Sequence, residues 1–181
     1  MCKSIFITGT PCTGKTTVSE VLASRLNCKL VKINDLAIEN DFVLGIDEDK
    51  GYKVIDIPAL NEKVSEIIDG SDEMTVFEGH LAHLCDGADK IIVLRVRPEI
   101  LQSRLEARNY SEAKIRENLE AEAMGVCTAE AYEIYGENIS EIDVSDLAVD
   151  EIVDEISCVI SDEKTYSVGE VDFMDWLILN S

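Results

Sequence analysis

The first 30 residues change from a short apolar run to a helical spacing. Ser4 to Thr8 is a β-branched and aromatic run that ends at Gly9, which predicts a buried strand. From Lys15 onward, apolar residues recur with the 3.6-residue period of a helix, at Val18, Val21, Leu22 and Leu26. The chain therefore begins with a strand, a glycine-containing loop and a helix.

The alternation of strand and helix patterns continues along the chain. Further strands are predicted at Leu30 to Ile33, Thr75 to Glu78, Ile91 to Val96 and Ile139 to Val144. Five further helices are predicted. Two have defined ranges, Asp35 to Asn40 and Pro58 to Gly70; one begins at Pro98 and one follows a cap at Ser111. The last has inward-facing apolar residues between Val149 and Ile160. Acidic residues with Gly45 and Gly51 make Asp41 to Lys53 an exposed connection. Because most strands lack a polar face, the pattern predicts an α/β fold with a parallel sheet covered on both sides.

Composition limits the location and the partners of the protein. The 181 residues fit one domain, and 16 Lys and Arg against 37 Asp and Glu give a net charge of −21, which opposes binding to nucleic acid or to an anionic membrane. No apolar run approaches the roughly 20 residues of a membrane span, and Met1 to Ser4 lead directly into a strand without a signal peptide. We therefore expect a cytoplasmic protein. Its six cysteines include no C-x-x-C pair and so lack metal-ligand spacing. We expect free thiols rather than three disulfides, because a chain of this length has its own core and no export signal.

The loop after the first strand carries the strongest chemical signal. Residues 9–16, Gly-Thr-Pro-Cys-Thr-Gly-Lys-Thr, fit G-x-x-x-x-G-K-[ST], and the motif lies between a strand and a helix as it requires. The backbone N–H groups of such a loop bind phosphate, the lysine reaches the β- and γ-phosphates of ATP, and the following hydroxyl ligates Mg²⁺. The predicted nucleotide-binding residues are Gly9, Cys12, Thr13, Gly14, Lys15, Thr16 and Thr17. A chance glycine turn is the alternative, and Cys12 is either a small loop residue or a redox-sensitive thiol.

Several segments together resemble one family of small P-loop kinases. They are residues 7–11, Ile-Thr-Gly-Thr-Pro; 78–80, Glu-Gly-His; 93–95, Val-Leu-Arg; 104–111, Arg-Leu-Glu-Ala-Arg-Asn-Tyr-Ser; and 114–118, Lys-Ile-Arg-Glu-Asn. Their order and spacing over residues 3–160 resemble adenylate kinase isoenzyme 6, a family that includes the coilin-interacting nuclear ATPase and archaeal adenylate kinase-like proteins. The resemblance implies a P-loop NTPase fold with a five-stranded parallel sheet flanked by helices. It also implies a short lid near Ala107 to Glu117 and a nucleoside-monophosphate arm near Leu30 to Lys53.

The resemblance also implies roles for individual residues. Lys15, Arg108, Arg104 and His80 are the expected catalytic residues. Arg108 is also expected to bind the nucleotide by closing over ATP, and a plain surface position is the alternative for His80. Thr16 and Glu78 are the expected Mg²⁺ ligands, with Glu78 holding the ion directly or through water. The alternatives are that the two arginines are solvated partners of Glu106 or Glu112, and that Glu78 is a solvated carboxylate at a strand end. His83 matches no family position, and we expect it at the surface.

Two positions depart from the family pattern. Ile38 follows Asp-Leu-Ala where relatives often have a basic residue that grips the acceptor phosphate, and Lys32, Lys50 or Lys53 could replace it. Asn109 stands where relatives usually have Gly, although Asn tolerates a left-handed conformation.

We expect residues 1–160 to form the kinase domain and residues 161–181 to form a C-terminal appendage. The apolar end of this appendage, from Val171 to Leu179, must either fold back on the domain or dock on a partner. The expected function is Mg²⁺-dependent phosphoryl transfer from ATP to AMP with accompanying ATPase activity. The alternatives are a kinase for another nucleoside monophosphate and an ATP-hydrolysing assembly factor of the small ribosomal subunit, whose partner would be a basic ribosomal protein.

Overall fold

Five parallel strands form the central sheet of the protein. The computed structural model describes residues 2–47 and 52–180. The strands of the sheet are β1 (Ser4–Thr8), β2 (Lys29–Lys32), β5 (Thr75–Glu78), β6 (Lys90–Arg95) and β7 (Ile139–Asp143), in the order β2-β5-β1-β6-β7. Strands β3 (Val43–Ile46) and β4 (Lys53–Ile55) form a separate antiparallel pair. The five-stranded parallel sheet expected from the family resemblance is therefore confirmed.

The helices cover both faces of this sheet. They are α1 (Lys15–Leu26), α2 (Ile33–Glu39), α3 (Ile57–Asp69), α4 (Pro98–Ala107), α5 (Glu112–Ala123), α6 (Val126–Tyr135), α7 (Val149–Ile160) and α8 (Met174–Asn180). Ser111 caps α5, as predicted, because its side chain accepts a hydrogen bond from the Lys114 N–H. Within the described residues, no helix is long and apolar enough to cross a membrane.

Alternate residues of β1 belong to two different cores. Ile5 and Ile7 pack in a cluster with apolar residues of α1, α4 and α7, whereas Phe6 packs in a cluster with residues of α3 and α6. This two-sided burial follows from the alternation of side chains along a strand and explains why β1 has no polar face.

The order of the strands brings distant residues to one edge of the sheet. β1 lies between β5 and β6, with Ile7 opposite Glu78 and Thr8 opposite Val93. In a parallel sheet the carboxyl ends of neighbouring strands lie together, and ligands bind at this edge. The loop after β1 and the residues after β5 therefore meet there.

Strands β3 and β4 and helices α6 and α8 were not predicted from the sequence. The segment Asp41 to Lys53 was expected to be an exposed connection, but it contains β3 and the first residue of β4; residues 48–51 lie outside the described part. The pair was missed because Leu44 and Ile46 are exposed, so hydrophobicity there does not mark a buried face. Helix α6 was also missed, because its sequence has no clear apolar stripe and buries only Thr128 and Ala131.

The segment after α7 runs back over the domain. Tyr166 and Trp176 are half-buried against the apolar cluster that contains Ile5 and Ile7, and α8 lies next to α5. The backbone N–H of Gly169 donates a 2.8 Å hydrogen bond to Glu141 of β7. In this structure the C-terminal segment (residues 161–180) therefore contacts the domain, while the division of the chain at residue 160 stays a prediction.

Candidate nucleotide-binding site

The loop between β1 and α1 has a backbone conformation that requires glycine. Gly9 has φ +139°, and a Cβ there would lie 2.5 Å from the carbonyl oxygen of Leu94 in β6. Gly14 has φ +103° and immediately precedes α1. Cys12 also has a positive φ, 69°. These residues turn the loop over the N-terminus of α1, where backbone N–H groups and the helix dipole favour a bound phosphate.

Lys15 is buried directly under this loop. Its Nζ donates 2.8 Å hydrogen bonds to the carbonyl oxygens of Gly9 and Thr10. Burial lowers the pKa of Lys15, while Cys127, Glu78 and Glu122 act in the opposite direction. The ammonium group thus lies within the loop. When a nucleotide binds, it can donate a hydrogen bond to a phosphate oxygen in place of one of these carbonyl oxygens.

The other predicted loop residues are distributed around Lys15. Thr13 is buried, and its hydroxyl donates a 3.0 Å hydrogen bond to the Thr10 carbonyl, whereas Thr16 and Thr17 are exposed in the first turn of α1. Cys12 is half-buried.

Thr16 and Glu78 lie next to each other at the edge of the sheet. The Thr16 hydroxyl donates a 3.2 Å hydrogen bond to Glu78 Oε1, and Glu78 is 7% exposed at the end of β5. A hydroxyl and a carboxylate are the oxygen ligands that Mg²⁺ prefers, and Mg²⁺ usually takes few protein ligands together with waters and phosphate oxygens. In the described residues, no three His, Cys, Asp or Glu side chains are grouped to hold a metal. The Thr16 and Glu78 pair therefore fits Mg²⁺ carried by a nucleotide.

His80 lies close to Lys15. Burial, followed by the charge of Lys15, lowers the pKa of His80 to about 4. Its imidazole is therefore neutral near pH 7 and can both donate and accept a hydrogen bond beside bound phosphates.

The prediction that His83 lies at the surface is wrong. His83 is 1% exposed, with Nδ1 2.7 Å from the Thr8 hydroxyl and Nε2 2.9 Å from Glu130 of α6. The sequence does not reveal this burial because α6, which covers the imidazole, was not predicted.

The structure brings Arg104 to the loop and leaves Arg108 outside it. Arg104 Nη1 donates 3.3 Å hydrogen bonds to the carbonyl oxygens of Cys12 and Thr13. Arg108 is exposed at the end of α4 and pairs with no described residue. Next to it, Asn109 adopts φ 56°, the left-handed conformation that Asn tolerates. Neither arginine pairs with Glu106 or Glu112, the acidic partners considered as the alternative.

The candidate basic groups of the arm have different surroundings. Ile38 is 47% exposed in α2, and Lys32 forms a 2.7 Å ion pair with Glu20. Lys53 is exposed in β4, and Lys50 lies outside the described residues. The arm also contacts α5 through Tyr52, whose hydroxyl donates a 3.1 Å hydrogen bond to Glu117.

One contact of the loop was missed by reasoning from the sequence. The Thr10 hydroxyl donates a hydrogen bond to Glu122 of α5, and Glu122 also pairs with Arg95 of β6 at 2.9 Å. Arg95 belongs to a segment that resembles the family, but nothing in its spacing points to Glu122, 27 residues away.

Comparison with known proteins supports a common family. Residues 5–125 match the family described as "AAA domain". The protein named "Putative adenylate kinase" from Methanothermobacter thermautotrophicus is 43% identical over 174 residues, which cover 96% of this chain and 99% of the relative. The protein of the same name from Methanocaldococcus jannaschii is 38% identical over 179 residues, covering 97% of each chain.

Solved structures share the fold at low sequence identity. Shikimate kinase from Bacteroides thetaiotaomicron has a TM-score of 0.61 at 16% identity, covering 89% of this chain and 99% of its own. A gluconokinase from Sinorhizobium meliloti has a TM-score of 0.58 at 17% identity, covering 89% of this chain and 93% of its own. These values support the overall architecture alone.

Proposed function

The chain belongs to the AAA domain family and to the family of proteins named "Putative adenylate kinase", and from this premise we propose that it transfers the γ-phosphoryl group of ATP to AMP. An oxygen of the AMP phosphate forms a bond to the γ-phosphorus, the bond from this phosphorus to the β,γ-bridging oxygen breaks, and two ADP result. The relatives named as adenylate kinases support a function of the nucleoside monophosphate kinase type, and we propose AMP as the acceptor.

The observation that carries the proposal is the position of Lys15 beside the Thr16 and Glu78 pair at one edge of the sheet. The loop N–H groups and Lys15 bind the triphosphate, and Thr16 and Glu78 hold the Mg²⁺ that accompanies it. Mg²⁺ neutralises charge on the β- and γ-phosphates when it is bound. Transfer of a phosphoryl group needs mainly positioning and neutralisation of charge, which this set of residues can supply.

The remaining predicted residues act around this centre. Arg104 holds the loop through the carbonyl oxygens of Cys12 and Thr13, so it supports the shape that binds phosphate. Arg108, at the end of α4, closes over ATP with the lid and excludes water. Neutral His80 orients a phosphate oxygen or a water molecule by a hydrogen bond.

We propose ATP hydrolysis as a second activity, because the residues of the arm bear on how firmly an acceptor phosphate is held. Ile38 is apolar and Lys32 is paired with Glu20, so neither of these two positions offers an unpaired cation to an acceptor phosphate. A poorly held acceptor lets water compete for the γ-phosphoryl group. The net charge of −21 would attract a basic protein partner and accelerate its association by electrostatic steering. A ribosomal protein of the small subunit as this partner is suggested only by the family resemblance.

The direct test supplies MgATP without acceptor and with AMP, CMP or GMP, and separates the nucleotide products by chromatography. We expect ADP to form fastest with AMP, at two ADP for each AMP consumed. Loss of ATP at the same rate with every acceptor and with none would favour hydrolysis over transfer. Lys15→Ala should abolish both reactions because the triphosphate loses its buried cation, and equal activity of this variant and the wild type would exclude the mechanism.

A further inference from the structure

A buried polar network links the phosphate-binding loop to the C-terminal segment. Thr10 of the loop donates to Glu122 of α5, which also accepts from Arg95 Nε at 2.9 Å and from the Val96 N–H at 2.9 Å. A second nitrogen of Arg95 pairs with Glu141 of β7. The network therefore joins elements that are far apart along the chain.

The charged groups of this network are almost completely removed from solvent. Arg95, Glu122 and Glu141 are 1–2% exposed. Burial lowers the pKa of Lys15, and the charge of Glu122 is among those that oppose this shift. Burying charges costs free energy unless their geometry is well satisfied, and removing one partner of a buried ion pair is strongly destabilising. Here the geometry that satisfies these charges includes the hydrogen bond from Thr10 to Glu122.

The C-terminal segment completes the outer side of the network. The Gly169 N–H donates a 2.8 Å hydrogen bond to the second oxygen of Glu141, and the Phe173 ring covers the Arg95 guanidinium at 5.2 Å. A cavity of about 920 Å³ lies between this segment and α6. The segment is therefore held here by individual contacts rather than by continuous packing.

We propose that Arg95, Glu122 and Glu141 are positioning residues for the phosphate-binding loop, and that the C-terminal segment acts on the loop through them. Phe173 contacts Arg95, and Gly169 contacts Glu141. Arg95 pairs with both Glu141 and Glu122, and Glu122 accepts the hydrogen bond from Thr10. None of these side chains needs to touch the nucleotide. The inference rests on the proposed function only in that the loop binds ATP.

Two substitutions interrupt the two ends of the path without removing a buried charge. Phe173→Leu removes the ring over Arg95, and Thr10→Val removes the hydroxyl that donates to Glu122 while keeping the side-chain volume. We expect Phe173→Leu to raise the Kd for MgATP about 2- to 5-fold, because a single cation–π contact is weak. Thr10→Val should raise it about 10-fold, because a hydrogen bond to a buried carboxylate is lost. Binding is measured by titration calorimetry on the full-length protein, with thermal melting to verify folding.

The double variant distinguishes a path from general destabilisation. If the C-terminal segment acts through Thr10, Phe173→Leu has no further effect on the Kd in the Thr10→Val background. Phe173→Tyr and Thr10→Ser should restore affinity, because the ring and the hydroxyl return. Leu179→Ala is the matched control, since Leu179 is in the same segment, 82% exposed, and outside the network.

Each result decides the proposal. Non-additive effects with rescue support it, whereas an unchanged Kd for Phe173→Leu, or equal effects in both backgrounds, overturns it. Phe173→Met, which keeps apolar volume without a ring, is measured in parallel in case the leucine variant does not fold. If the wild type itself binds no ATP, the proposed function fails as well; if the wild type binds ATP and the variants bind equally well, this inference alone fails.

Discussion

The hydroxyl of Thr16 in the first turn of α1 donates a 3.2 Å hydrogen bond to Glu78 at the end of β5, although the two residues are 62 positions apart. The bond places a hydroxyl oxygen and a carboxylate oxygen side by side, where we propose that the Mg²⁺ of a nucleotide binds.

We therefore predict that Glu78→Gln lowers phosphoryl transfer and raises the Mg²⁺ concentration needed for half-maximal rate, because the amide keeps the shape of the side chain but loses its charge. The measurement is initial rate against Mg²⁺ concentration at fixed ATP. Glu62→Gln, an exposed change on α3, is the control. An unaltered Mg²⁺ dependence of Glu78→Gln would assign the metal to other ligands.

The two arginines of α4 should affect different kinetic constants. Arg104 contacts loop carbonyl oxygens and Arg108 is exposed at the end of the helix. Arg104→Ala should weaken ATP binding about 10-fold, because the loop loses charge-assisted hydrogen bonds. Arg108→Ala should lower kcat about 100-fold with less effect on ATP affinity, because it acts on charge that develops during transfer.

Titration of ATP binding and steady-state kinetics on both variants separate these effects. Equal losses of affinity and kcat in the two variants would contradict the distinct roles.

Gly9→Ala should destabilise the protein. The new Cβ would lie 2.5 Å from a backbone oxygen of β6, at φ +139°, which L side chains rarely adopt. We expect the free energy of unfolding to fall by about 2 kcal/mol or more. Gly45→Ala is the control, because a Cβ at Gly45 meets no atom within 4 Å. Urea unfolding of both variants tests the difference, and equal stability would mean that the loop relaxes without cost.

His83 should make stability depend on pH in the acidic range. Burial lowers the pKa of His83 below its ordinary value of 6.5, although Glu130 opposes this shift. Above about pH 6.5 the imidazole is neutral in both states and its full contribution is present. As the pH falls below that value, the unfolded chain gains a proton that the folded protein does not take up, so stability decreases.

Melting temperatures of wild type and His83→Gln between about pH 7 and pH 5 test this expectation. The variant should lose less stability over this interval than the wild type, even if it is less stable at neutral pH. Burial, Lys15 and His83 together lower the pKa of His80 to about 4, so His80 contributes in the same direction in both proteins, and the substitution removes only the smallest of these three causes. Identical slopes would show that His83 takes up its proton equally in both states.

Local sequence patterns were sufficient to predict the strands and the helix around the phosphate-binding loop. The strand before Gly9, the helix from Lys15 and the strand ending at Glu78 were predicted because each combines a regular hydrophobic pattern with a boundary residue. The exposed pair β3 and β4 and the helix α6 lack such a pattern, so they were not predicted.

The amino-acid sequence alone determined the phosphate-binding loop, the α/β order and the family, because motif spacing and hydrophobic period are properties of neighbouring residues. Only the tertiary structure decided that His83 is buried, that Arg104 rather than Arg108 contacts the loop, and that Thr10 is joined to Glu122. Those contacts unite residues from different strands and helices. Their partners are chosen by the packing of the sheet and its helices, which no local pattern specifies.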